Sequence, residues 1–230
     1  MWFDFSYLLF IAPGLLLALV AAGLTKSTFA KYSRVPSARG LTGQVAATEM
    51  LRREGVYGVT IERVGGHLTD HYDPTSKRLR LSRDVYDGHS LAAIGVACHE
   101  AGHAIQHDRG FAALKLRSLL VPATSICASM YMVVIVIGFI MHIKALAFIG
   151  LAMCAMAVIF ALVTLPVEWD ASRRAKIAMV NHGLVTPQEA VGAGRVLNAA
   201  FLTYLGSAIT SLLVLLYWLY RLGLLGSRND

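Results

Sequence analysis

The stretch Cys98-His99-Glu100-Ala101-Gly102-His103-Ala104-Ile105-Gln106-His107 decides how the rest of this 230-residue chain is read. It contains the H-E-x-x-H pattern, two histidines one helical turn apart with a glutamate beside the first. Residues four apart on a helix share a face, with Cβ atoms about 5–6 Å apart, so two imidazoles can converge on one metal ion. The glutamate of the same turn can reach a water activated by that ion, which is the arrangement of a zinc-dependent hydrolase. The spacing therefore predicts a helix on which His99 and His103 hold zinc and Glu100 acts as general base and then general acid.

Two neighbours are poor ligands on geometry. Positions 99, 103 and 107 of a straight helix span about 12 Å along its axis, too far for three side chains to share one ion, and Ala104-Ile105-Gln106 offers no glycine break. His107 is left with a place at the rim or behind a ligand, or as an exposed polar residue. Cys98 adjoins His99 but points about 100° away on a helix. With Cys127 and Cys154 it makes an odd set without pairing spacing, which reads as small core residues rather than disulfides.

Composition places this helix in a membrane protein. The chain is 56% hydrophobic and only 15% charged, far more apolar than an ordinary soluble domain. Four runs are long enough to cross a bilayer, at about 5–24, 119–141, 145–165 and 202–222. Asp4 and no cation precedes the first, so it is not a typical cleavable signal, and Lys26, Lys31, Arg34 and Arg39 follow it. The second and third are separated only by His142-Ile143-Lys144 and read as a hairpin that returns the chain to its starting side. Segments 25–118 and 166–201 then share one face, and they hold 18 of the 21 Lys and Arg residues. That bias predicts a cytoplasmic face and an outside amino terminus. The net charge of +7 belongs to this bias, and without a basic stripe interleaved with aromatics it does not point to nucleic acid.

The fold class expected is mainly α, four transmembrane helices with a small cytoplasm-facing α+β zincin-like unit. The whole chain, 1–230, forms a single membrane-embedded metallopeptidase domain with its catalytic parts at 25–118 and 166–201. Within them Thr42 caps a helix to about Glu54, which Gly55 ends. Val59–Glu62 reads as a strand. Leu68–Tyr72, the turn Asp73-Pro74-Thr75-Ser76 and Arg78–Leu81 read as a hairpin, whose last strand is either an edge that pairs with an extended peptide or plain scaffold. Asp87-Gly88-His89-Ser90 introduces the motif helix and Gly110 ends it. Pro166 marks the exit from the third span, with a helix from Val167 to Asn181, and Thr186-Pro187-Gln188-Glu189 starts another that can run into the last span.

A catalytic zinc takes three protein ligands and keeps one position open. The third candidate is Glu168, in Leu165-Pro166-Val167-Glu168-Trp169-Asp170-Ala171-Ser172, which the hairpin returns to the face that carries His99 and His103. Its alternative is an exposed helix-start carboxylate. Asp170 either orients a ligand histidine or pairs with Arg173 at the surface. His67, His71, Tyr72, His89 and Arg173 are candidates for stabilising the oxyanion of a hydrated carbonyl, each with an ordinary solvated role as its alternative.

These features together resemble the YugP-like family of membrane-bound neutral zinc metallopeptidases from bacteria. The residues that carry the likeness are Lys31-Tyr32-Ser33, Gly40-Leu41-Thr42-Gly43, Leu68-Thr69-Asp70-His71-Tyr72-Asp73-Pro74, Arg80-Leu81-Ser82, Val85-Tyr86, His99 to His107 and the Glu168 segment. The resemblance implies one zinc at His99, His103 and Glu168, Glu100 as catalytic residue, and a place in the inner or plasma membrane. A more distant likeness is to HtpX-like membrane proteases, which continue from the glutamate as E-x-x-A-D. Here Ala171 is kept but Ser172 stands in the aspartate's place, so the residues behind the ligands must differ, with Asp170 as the substitute.

The leading expectation is a membrane-anchored zinc endopeptidase acting on protein or peptide substrates in or beside the bilayer. The alternative is a non-catalytic membrane adaptor or chaperone-associated subunit with a structural zinc, which requires a closed four-ligand site. An intramembrane protease fits less well, because Asp87, His89, Gln106, Asp108 and Arg109 flank the motif. A zinc or proton transporter needs ionisable residues in mid-span, and the spans have none.

Overall fold

Long apolar runs can satisfy their backbone polar groups in a bilayer only as helices or closed barrels, and in the computed structural model, which describes residues 5–225, all four are helical. The spans lie inside longer helices: α1 (Phe5–Tyr32), α5 (Ala112–Ile140), α6 (Lys144–Asn181) and α7 (Pro187–Arg221). Each is long and apolar enough to cross a membrane. Asp4 and Arg228, which enter the charge argument, lie outside the described residues. The remaining elements are α2 (Gly43–Arg53), β1 (Thr60–Val64), β2 (His71–Asp73), β3 (Arg78–Ser82), α3 (Arg83–Tyr86) and α4 (Leu91–Asp108).

Pro166 does not start a new helix as the sequence reading expects. It sits inside α6, which continues through it to Asn181. A proline removes one N–H from the helical ladder, but α6 continues through it with Thr164 and Val167 buried on either side. One helix therefore supplies an apolar span and the Glu168 segment. Likewise α7 starts at Pro187 and runs into the last span, behind a reciprocal cap in which Thr186 N–H donates to Glu189 Oε2 and Glu189 N–H to Thr186 Oγ1.

The chain divides into two compact units. Of the described residues, one comprises 5–21, 116–165 and 203–225. In it small residues let helices meet closely, as expected where packing rather than the hydrophobic effect holds helices together: a Cβ on Gly14 would lie 2.9 Å from Thr210 Cα, and one on Gly138 would lie 2.6 Å from Ala147 N. Tyr217, Trp218, Ile135, Leu151 and Cys154 form its core.

The other unit comprises residues 22–115 and 166–202. Its sheet has the order β1-β3-β2, with β1 parallel and β2 antiparallel to β3. The hairpin forms, but its first strand is only His71–Asp73 rather than Leu68–Tyr72 and its turn is 74–77, and Arg78–Leu81 is the central strand and not an edge. Its alternation explains why: Leu79 and Leu81 are fully buried, and Arg78 and Arg80 pair with Glu62 on β1. The edges are β1 and β2. Thr42 caps α2 by accepting from Val45 N–H, and Met50, Leu79, Leu81, Ile94, Ile105, Met179 and Leu184 fill the core around α4.

Candidate metal centre

Ser90 fixes the start of α4 by accepting from Ala93 N–H, and almost the whole helix up to Gln106 is buried. The i, i+4 spacing brings the His99 and His103 rings to 4.8 Å between centroids at 79°. Across from them, α6 presents Glu168, only 1% exposed. Its Oε2 lies 3.1 Å from His99 Nε2 and 3.5 Å from His103 Nε2. The close crossing is made by Gly102, where a Cβ would stand 2.7 Å from the carbonyl oxygen of Ala171. The glycine lies between the two histidines, and Ala171 lies between Glu168 and Ser172.

The three donors fit zinc. Bonds of about 2.0–2.2 Å in tetrahedral array put ligand atoms about 3.3–3.5 Å apart, close to the two measured edges, and all three donor atoms lie within 4.8 Å of one another. The second ring nitrogens are also held. His103 Nδ1 faces Gln106 Oε1 at 3.0 Å, and His99 Nδ1 faces Ser172 Oγ at 3.1 Å. Such partners orient a ligand imidazole and fix which nitrogen points at the ion.

Among known proteins, a family model described as "Putative neutral zinc metallopeptidase" matches residues 7–223. The chain belongs to this zinc peptidase family. It is similar to "Putative membrane protease YugP" of Bacillus subtilis (strain 168), 43% identical over 191 residues, covering 83% of this chain and 85% of that protein. No solved structure matches. Zinc as the family's metal and the four apolar helices agree with the expected class of membrane metalloprotease.

The other residues singled out from the sequence fall in different places. Glu100 is buried, and its Oε2 accepts from Tyr72 N–H on β2 at 3.0 Å. His107 is outside the cluster, its Nδ1 2.9 Å from Tyr72 Oη. Burial, then Asp73 and Asp108, push the Tyr72 hydroxyl up to about 12. Cys98 is buried in the α4 core with its thiol pushed up to about 12 by desolvation, not a metal ligand. His71 is exposed and meets Thr69 O at 2.8 Å. His67 pairs with Asp84 and His89 meets Gly40 O. Arg173 is exposed, and Asp170 does not pair with it. Asp170 Oδ2 accepts instead from Arg174 Nε at 2.5 Å and from Gln106 Nε2 at 2.9 Å. Where the more distant relatives carry an aspartate, Ser172 meets His99, and Asp170 reaches His103 through Gln106.

Gln106 and Ser172 are what the sequence reading missed as partners of the ligands. Gln106 lies three residues after His103, so helical spacing would have nominated it, whereas Ser172 faces His99 across 73 positions, which no local spacing reveals. A cavity of about 910 Å³ in the same unit is lined by Lys26, Arg34, His67, Arg83 and His89 among others, and by none of the three donors. Convergence of donors, rather than cavity size, marks the metal centre.

Proposed function

We propose that this chain is a gluzincin-like zinc metalloendopeptidase, HExxH plus a glutamate, that hydrolyses peptide bonds in membrane-associated proteins. His99, His103 and Glu168 hold one zinc per chain, and Glu100 is the general base and acid. The observation that carries this reading is the donor cluster on two helices, with Glu100 in the same turn as His99 but outside the cluster. Among the described residues three donors rather than four converge, which matches a site with an open position and weighs against the purely structural zinc of an adaptor.

When bound, zinc supplies a Lewis acid that polarises the scissile carbonyl and lets a water lose its proton near neutral pH. Glu168 and the two imidazoles fix the ion's position through helices that cannot separate without opening the Gly102–Ala171 contact. Tyr72 N–H holds Glu100 Oε2 and leaves Oε1 to take the proton from the attacking water. The same carboxyl then delivers that proton to the departing amine nitrogen. Asp170, acting through Gln106, positions His103, while His107, His71 and Arg173 are candidates for contact with substrate around the rim.

The catalytic parts, 25–118 and 166–201, belong with the four spans to a single membrane-embedded domain. Their zincin-like α+β unit faces the cytoplasm of a bacterial cell across the inner or plasma membrane, with the amino terminus outside, because these segments carry most of the cations. Purified full-length protein is expected to carry about one zinc per chain, and Glu100→Gln to retain it while cleavage falls by about 10²–10⁴-fold. Comparison of membrane proteomes from cells bearing wild-type and Glu100→Gln forms identifies substrates as fragments that depend on the glutamate. Full cleavage by a zinc-loaded Glu100→Gln enzyme would overturn the mechanism.

A further inference from the structure

The side chain of Gln106 is completely buried, and its environment leaves only one way to orient its amide. Nε2 faces two groups that can only accept, the Val167 carbonyl oxygen at 2.8 Å and Asp170 Oδ2 at 2.9 Å. Arg174 Nε, also on Asp170 Oδ2, keeps that oxygen an acceptor. Reversing the amide would set an oxygen against two oxygens, so the NH₂ must lie on that side. Oε1 is then the atom that faces His103 Nδ1 at 3.0 Å. An amide oxygen never donates, so Nδ1 must carry the hydrogen, and Nε2, 3.5 Å from Glu168 Oε2, is the nitrogen left to face a metal.

His99 is held differently. Its Nδ1 meets the Ser172 hydroxyl, which donates or accepts by turning about its C–O bond and so tolerates either tautomer. The two ligand histidines are therefore unequal. Gln106 also bonds to Val167 and Asp170, the residues on each side of Trp169 and Glu168 in that turn of α6, so one amide ties the tautomer of a donor on α4 to the segment that carries the third donor.

We propose that Gln106 is a positioning residue that sets the tautomer of His103 through a directional chain from Arg174 and Asp170, and that Ser172 plays no such directional part at His99. Its consequence for zinc rests on the peptidase reading above, but the tautomer does not. Two readouts on the full-length protein in detergent separate them. Long-range ¹H–¹⁵N correlation spectra of ¹⁵N-histidine-labelled, chelator-treated protein should show His103 protonated at Nδ1, and Gln106→Leu should shift it toward the Nε2–H form. Competition with a fluorescent zinc chelator should show Gln106→Leu binding about 10–100-fold more weakly, the usual cost of losing a partner behind a metal ligand, and Ser172→Ala losing less.

An unchanged His103 tautomer in Gln106→Leu overturns the proposal, as does a larger zinc loss in Ser172→Ala. Should Gln106→Leu not fold, Gln106→Glu decides: its carboxylate still accepts from His103 but sets an oxygen against Asp170. Combining it with Asp170→Asn returns a donor to that contact and should recover zinc affinity over Gln106→Glu alone, and no recovery overturns the proposal. If the wild-type protein binds no zinc, the peptidase reading fails, while the His103 tautomer still decides the role of Gln106.

Discussion

Gly102→Ala tests the link between helix packing and the metal centre. The added methyl would sit 2.7 Å from the carbonyl oxygen of Ala171 and 3.2 Å from its carbonyl carbon and Cα. All three atoms are backbone, so no rotamer change removes the clash. Ordinary contact begins near 3.4 Å, so α4 and α6 must move apart locally by about 0.7 Å. Metal bonds tolerate about 0.2 Å of error, and the donors spaced 3.1 and 3.5 Å apart straddle that contact. The substitution gains about 1 kcal/mol of helix propensity against about 1–3 kcal/mol of overpacking, so global stability falls modestly while zinc affinity falls by at least about tenfold. Gly95→Ala on the same helix is the control. Its methyl would meet the nearest atoms of Ala193 at an ordinary 3.4 Å, so it should be neutral or raise the melting temperature slightly. Chelator competition and thermal unfolding in detergent measure both variants. Wild-type zinc affinity in Gly102→Ala would refute the idea that this contact sets the donor spacing.

Glu168→Gln should lower zinc stoichiometry in metal analysis, whereas Cys98→Ala should leave it at the wild-type value, because that thiol is core and not a ligand. With its thiol pushed up to about 12 and buried, Cys98 should also resist alkylation near neutral pH until the protein is denatured, as mass spectrometry would show. Tyr72→Phe keeps the backbone N–H on Glu100 and removes only the bond to His107, so it should lower turnover far less than Glu100→Gln does. Burial raises the Asp70 carboxyl above its usual range, against the lowering pull of Ser82 N–H and Oγ–H and with a smaller raising push from Glu100. A raised folded value favours the protonated form in the folded protein, so this contribution to stability is present below the ordinary Asp value near 4 and is lost as pH rises through the folded one. Asp70→Asn should flatten the difference in melting temperature across that window.

Much of the site was legible because its spacing is local. His99, Glu100 and His103 lie within one turn of a single helix, whose start at Ser90 is written in capping chemistry. The four apolar runs were legible because a bilayer allows long hydrophobic segments few forms. The hairpin around Asp73–Ser76 was legible from turn chemistry, but the place of Arg78–Leu81 at the centre of the sheet was not. Strand order depends on which segment pairs from a distance, and β1 pairs directly with β3 in parallel although β2 comes between them in sequence. Pro166 misled for a similar reason. A proline weakens a helix locally, but packing on both sides of it decides whether the helix continues.

By itself the sequence determined the chemistry available, two histidines and a glutamate at helical spacing, a distant carboxylate, and enough apolar length for four spans. Tertiary structure decided what each polar group faces. Ser172 stands against His99, and Asp170 reaches His103 only through Gln106. These pairings join α4 to α6 over more than 60 positions and depend on the approach permitted by Gly102. Which atoms meet across two helices follows from their crossing, and a crossing is set by the packing of the whole unit rather than by any local run of residues.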